Sequence, residues 1–161
     1  MVIAIIGLLA SIVLVSLNSA RGKARGVRRV ADLRQIQTAL EMYYDTNNSY
    51  PNPGGDWRSE CAAWGGLSAS NVIPGLVPIY MSVFPADPSM NKSASTACYV
   101  YQSNGTDYKL VDHNVTEFSA ADYLKQPSLV DPTRDSGSNG CVIDGSSPWS
   151  WAVYTPGGAC W

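Results

Sequence analysis

The sequence predicts an α+β chain, a long N-terminal helix packed on a small antiparallel sheet, and three observations carry that prediction. Residues 1–17, MVIAIIGLLASIVLVSL, hold no charge, and no proline precedes Pro51, so one helix can run from the N-terminus to about Asp45. Val27, Val30, Leu33, Ile36, Leu40 and Tyr43 recur every three or four residues, which gives the later part of that helix one apolar face. Further on, Ala97–Gln102 and Asp107–Asp112 are rich in aromatic and β-branched residues and flank Ser103-Asn-Gly-Thr106, a hairpin turn of the Asn-Gly type.

A helix of that length would extend roughly 65 Å, more than a domain of this size uses for its own core. Its first part must be buried in lipid or in copies of itself. The chain therefore divides into a protruding apolar stem, 1–24, and a head, 25–161, that includes the amphipathic half of the helix. The uncharged run Met1–Leu17 spans about 25 Å, slightly under the roughly 30 Å of a bilayer core. A removable secretory signal is disfavoured, because no basic region opens the run and the helical pattern continues past any cleavage point. Ile3, Ile5, Ile6, Leu8, Leu9, Ile12 and Leu14 are the candidate polymerisation surface. Gly7 and Ser11, then Ser16, Ala20 and Ala24, then Gly22 and Gly26 are spaced four apart, which lets helix backbones approach closely. The same glycines also weaken the helix locally.

The formal net charge of −2 conceals an asymmetry. Residues 1–40 carry six Lys/Arg against one acid, Asp32; residues 41–161 carry five against twelve. A basic stem and an acidic head suggest like molecules packing stem to head. Arg21–Arg34 reads as a solvated or lipid-facing collar, and no nucleic acid is required. The collar follows the apolar run, which alone would hold the head in the cytoplasm. Cysteines at 61, 98, 141 and 160 argue instead for an exported head. A basic leader ahead of Met1 would reconcile the two. None of the four forms a CxxC, so zinc is not expected and two disulfides are. Three pairings are open; Cys61–Cys98 and Cys141–Cys160 are favoured because each closes a loop of moderate length.

Asn47 to Gly55 is dense in breakers and ends the stem. A short helix is expected around Cys61–Trp64, and Leu76–Val83 reads as a second one or an irregular turn. Pro85 and Pro88 fix a turn at Phe84-Pro-Ala-Asp-Pro88. After the hairpin, Glu117–Leu124 reads as a helical turn, Asp131–Ser147 as a Gly/Ser/Asp loop, and Trp149–Tyr154 as a third strand.

The stretch VIAIIGLLASIVLVSLNSARGKARGVRRVADLRQIQTALEMYYDTNNSYP resembles the N-terminal helix of type IV pilins and type II secretion pseudopilins. The likeness covers Val2–Pro51 and continues more weakly through LVPIYMSVFPADPSM and YVYQSNGTDYKL to Leu110. The family's leader, ending in glycine before a methylated aromatic residue and a glutamate four positions later, would precede Val2. The resemblance implies a pilin-like fold and a structural subunit of an extracellular helical filament, held in the cytoplasmic membrane before assembly. It also implies assembly by a peptidase, a membrane platform and an ATPase. A major pseudopilin of a type II secretion system is the alternative, and a single-pass anchored binding module the second.

No enzyme is expected. His113, the only histidine, has no nucleophile motif beside it, and neither a phosphate-binding loop nor an HExxH helix is present. Asp131, Asp135 and Asp144, with Thr133, place hard oxygen ligands in one loop and form a candidate calcium site, which the pseudopilin likeness also implies. Asn47, Asn91 and Asn114 open Asn-x-Ser/Thr sequons that could carry glycans; Asn104 opens another inside the tight turn. The ten aromatic residues of the head from Trp57 to Trp161 are expected mostly in the core, with an exposed subset serving adhesion or subunit contacts.

Overall fold

The computed structural model describes residues 2–117, 119–134, 141 and 150–161; side chains are described for Ile6 and from Ser16 onward, residue 120 excepted. Helix α1 (Val2–Asn47) is 46 residues long. It stops where Asn48 takes a left-handed φ of 52° and its N–H bonds back to the Tyr44 carbonyl at 2.7 Å. Tyr50 and Pro51 then turn the chain inward and are both buried.

The head is α+β. After α1 come a 3-10 turn (Ala62–Trp64), helix α2 (Ala69–Val72), strands β1 (Cys98–Ser103) and β2 (Tyr108–His113), helix α3 (Ala120–Leu124) and strand β3 (Trp151–Tyr154). The strands form one antiparallel sheet in the order β1-β2-β3. Val100 stands opposite Val111, and Leu110 opposite Val153. Alternation then puts Tyr99, Tyr101, Leu110, Asp112, Trp151 and Val153 on one face, and Val100, Lys109, Val111 and Ala152 on the other.

The first face packs on α1. Leu33, Ile36 and Leu40 are fully buried and Ala39 nearly so, in one cluster with Tyr99, Tyr101, Tyr108, Leu110, Tyr123 and Trp151. The apolar stripe of α1 is therefore covered by the head from Val30 to Tyr43. Val27, expected within it, is 71% exposed, because the head does not extend that far along the helix. The second face carries a smaller cluster of Cys61, Cys98 and Val100 beneath Trp57 and Trp64.

The hairpin turn sits one residue later than expected. Ser103 stays in β1 while Asn104 Oδ1 accepts from the Thr106 and Asp107 N–H groups, so pairing resumes only at Tyr108. Glu117 does not join α3. Its carboxylate turns to α1, and Ser119 with Asp122 forms the capping box that starts the helix. The expected turn within Leu76–Val83 is irregular rather than helical. Disulfides join Cys61 to Cys98 and Cys141 to Cys160, with Cα separations of 6.3 and 5.3 Å. Among the described residues no helix is long and apolar enough to cross a membrane.

Candidate functional site

The most extended concavity is a groove of about 1000 Å³ beside the lower stem. One wall is α1 from Asn18 to Arg34, and the other is the segment Glu117–Gln126 with Trp151 beneath. The sequence makes this wall of α1 low: Gly22, Gly26 and Ala31 carry little or no side chain, and Val27 and Val30 line it with aliphatic carbon. A Cβ added at Gly22 would meet nothing within 4 Å, so the groove is open there. Charges of both signs stand at its margins, Lys23, Arg34 and Lys125 against Asp122. Lys125 and Asp122 pair with each other at 2.5 Å.

The groove ends against a buried ionic cluster that fixes stem to head. Arg29, fully buried, is held by Asp87, lies 2.5 Å from Glu117 and 3.6 Å from Asp112, and donates to Ser89 Oγ at 2.7 Å. Arg25 reaches the same Glu117 at 2.5 Å. Nearby, the Tyr99 hydroxyl donates to Asp32 at 3.0 Å, and Arg28 lies 3.6 Å from that carboxylate. Burial opposes the charge on Arg29, but Asp87, Asp112 and Glu117 outweigh it and keep the guanidinium protonated. Burial, reinforced by Asp87, pushes the Asp112 carboxyl well above its usual range; neither of its oxygens receives a hydrogen bond. Glu117 moves the other way: despite partial burial, Arg25 and Arg29 hold it below the usual value. The basic stem and the acidic head thus already meet within one chain. Four of the six stem cations lie in the interval 25–34, and two of them are spent on intramolecular pairs with Glu117 and Asp87.

The helical pattern alone places Arg29 with Arg28 and Arg34 on the polar faces, yet it is buried. The signal that could have revealed it is the surplus of acids in the head, which need a cation when they are enclosed.

The expected sites distribute as follows. Ile3, Ile5, Leu8, Leu9, Ile12 and Leu14 lie on the protruding part of α1, where only the backbone is described; Ile6 is 60% exposed. Asp131 is already paired. Its Oδ1 is 2.7 Å from the buried Lys109 Nζ and accepts from the Thr133 N–H and hydroxyl. Lys109 also donates to the carbonyls of Ala159 and Trp161 at 2.9 Å, so one ammonium ties the 131–134 turn to the C-terminal tail. Asp135 and Asp144, the other candidate calcium ligands, lie outside the described residues, and among those described no group of three His, Cys, Asp or Glu could hold a metal. Asn47 donates to the Tyr43 carbonyl and the Tyr80 hydroxyl, the exposed Asn91 accepts from the Ala94 N–H, and Asn114 holds a left-handed φ of 54°. His113 is half-buried edge-on to Trp64, with ring centroids 4.8 Å apart.

Comparison with known proteins finds no matching family model, no similar curated protein and no similar solved structure.

Proposed function

We propose that this chain is a pilin-like structural subunit that polymerises through its N-terminal helix into a helical filament. The observation that carries this reading is the mismatch between stem and head. α1 is 46 residues long, but the head buries it only from about Gly26 onward. An uncharged helix left over in this way has two acceptable surroundings, lipid and other stems. Before assembly it lies in the cytoplasmic membrane, and afterwards in the filament axis with the head outermost and extracellular.

The groove beside Asn18–Arg34 supplies the complementary surface. Its floor is apolar and low, and its length along α1 is about 24 Å, which suits a helix lying alongside. The apolar run and the groove are different patches of the same chain. A contact between them is heterologous, does not close, and propagates as a helix of subunits.

The test is Gly22→Leu. In the monomer the new side chain meets open space and improves helix propensity by about 1 kcal/mol, so the head folds as before. In the filament it fills the groove. The variant is expected to melt no lower than wild type yet to yield no filaments by electron microscopy of surface-sheared material. Filaments of wild-type yield and symmetry from Gly22→Leu would overturn the reading.

A further inference from the structure

On the sheet face away from α1 lies a second concavity, of about 250 Å³. Three of the chain's five tryptophans, Trp57, Trp64 and Trp161, wall it, and the paired Val100 and Val111 form its floor. Asp131, Arg134 and His113 stand at its margin. All three indoles are half-exposed, whereas the floor valines are buried.

The walls are held from several directions. The Cys61–Cys98 bond ties the loop of Trp57 and Trp64 to β1. Arg58 pairs with Tyr101 through both backbone bonds, at 2.8 and 2.9 Å, and the Ser59 N–H binds the Trp64 carbonyl at 2.8 Å. Lys109 fixes the opposite side, holding both Asp131 and the Trp161 carbonyl. Side chains locked by such contacts form a site that exists before any ligand arrives.

The charge balance selects the class of ligand. An aromatic cage for a cation is opposed by Arg134, and the one carboxylate, Asp131, is already neutralised by Lys109. An anion is opposed by Asp131. His113 is neutral near pH 7, because burial and Arg134 lower its pKa. Remaining is a neutral ligand with one flat apolar face to lie on indole and a polar edge that both donates and accepts. A pyranose ring has that form, its C–H face apolar and its hydroxyls equatorial, and the volume is that of one ring rather than a drug-sized molecule.

We propose that the pocket between Trp57, Trp64 and Trp161 binds a single neutral sugar ring, such as the terminal residue of a glycan. The site lies on the face opposite the stem, so it is independent of how the stem is buried.

The experiment titrates full-length protein in mild detergent with methyl glycosides of glucose, galactose, mannose and N-acetylglucosamine, followed by tryptophan fluorescence and by saturation-transfer NMR. Choline chloride and sodium acetate serve as the cationic and anionic probes. At least one glycoside is expected to saturate with a Kd of about 1 mM, the range expected of a ligand with few contacts. Trp64→Ala should weaken it at least about tenfold, and Trp64→Phe should restore it to within about threefold, since a smaller ring still stacks. Saturation transfer to wild type needs no variant, so a misfolded Trp64→Ala leaves the outcome readable. No saturable response to any glycoside, tighter binding of choline or acetate, or unchanged affinity in a folded Trp64→Ala would each overturn the assignment.

Discussion

Asp112 is the residue on which burial and charge collide most directly. It is fully enclosed, its oxygens accept no hydrogen bond, and Asp87, Asp32 and Glu117 share its surroundings with a single buried guanidinium. Its pKa is raised above the unfolded value of 3.8, so the folded state retains a proton that the unfolded chain gives up. The stability associated with this group is complete below that unfolded value and is lost as pH rises through the folded one. Glu117 has the opposite sign: its pKa lies below 4.5, so its contribution is present above that value and is lost in acid. Asp112→Asn removes the first effect and leaves the second. An asparagine also brings N–H donors to neighbouring carboxylates, while Arg29 keeps Asp87 and Glu117 as partners. Relative to wild type, the variant should gain about 1–2 kcal/mol between pH 3 and pH 9, the order of cost for an unsatisfied buried polar group. Urea unfolding at the two pH values measures this, and a stability difference that does not change with pH would refute it. None of this cluster was visible in the sequence. Asp112 sits in a strand whose alternation alone does not say which face the stem will cover, and Arg29 is flanked by Arg28, which is exposed.

At the level of elements, the long helix, the hairpin and the third strand were legible because each depends on local pattern. Periodicity near 3.6 marked α1, and Asn104-Gly105 marked the β1–β2 turn, where Gly105 takes a φ of 93°. The one-residue shift of that hairpin was not legible, since it depends on which backbone N–H groups the Asn104 side chain captures. The third strand is described only from Trp151; Trp149 lies outside the described residues. The C-terminal tail owes its place to two elements that the sequence treats separately: Lys109 on β2 and the Cys141–Cys160 bond, which closes a span of 19 residues. Cys141→Ser should cost about 2–4 kcal/mol, measured by thermal or urea unfolding under oxidising conditions. It should also leave one free thiol, Cys160, detectable by mass spectrometry after alkylation, against none in the native protein. Four alkylated cysteines in native protein would remove the expectation altogether.

For the whole molecule, the division of α1 into a covered and an uncovered part sets what can be cut away. A chain beginning at Arg25 keeps Arg25 and Arg29 with their partners in the head, and keeps Leu33, Ile36 and Leu40, which anchor the core. It loses the uncharged run that the head leaves uncovered. The truncated protein should therefore be soluble and monomeric, with a melting temperature close to that of the full-length head. It should also fail to enter filaments, because burial worth roughly 0.8 kcal/mol per methylene across Ile3, Ile5, Ile6, Leu8, Leu9, Ile12 and Leu14 is gone. Cutting instead after Arg29 should unfold the head, since Asp87, Asp112 and Glu117 would then be enclosed without their cation, a loss of about 3–5 kcal/mol. Analytical ultracentrifugation and circular dichroism separate the two truncations, and cryo-electron microscopy reads assembly. Filaments grown from the chain that begins at Arg25, or a filament whose axis is built from heads, would show that the stem is not what joins the subunits. A folded, stable chain lacking Arg29 would show that the buried ionic cluster does not hold stem and head together.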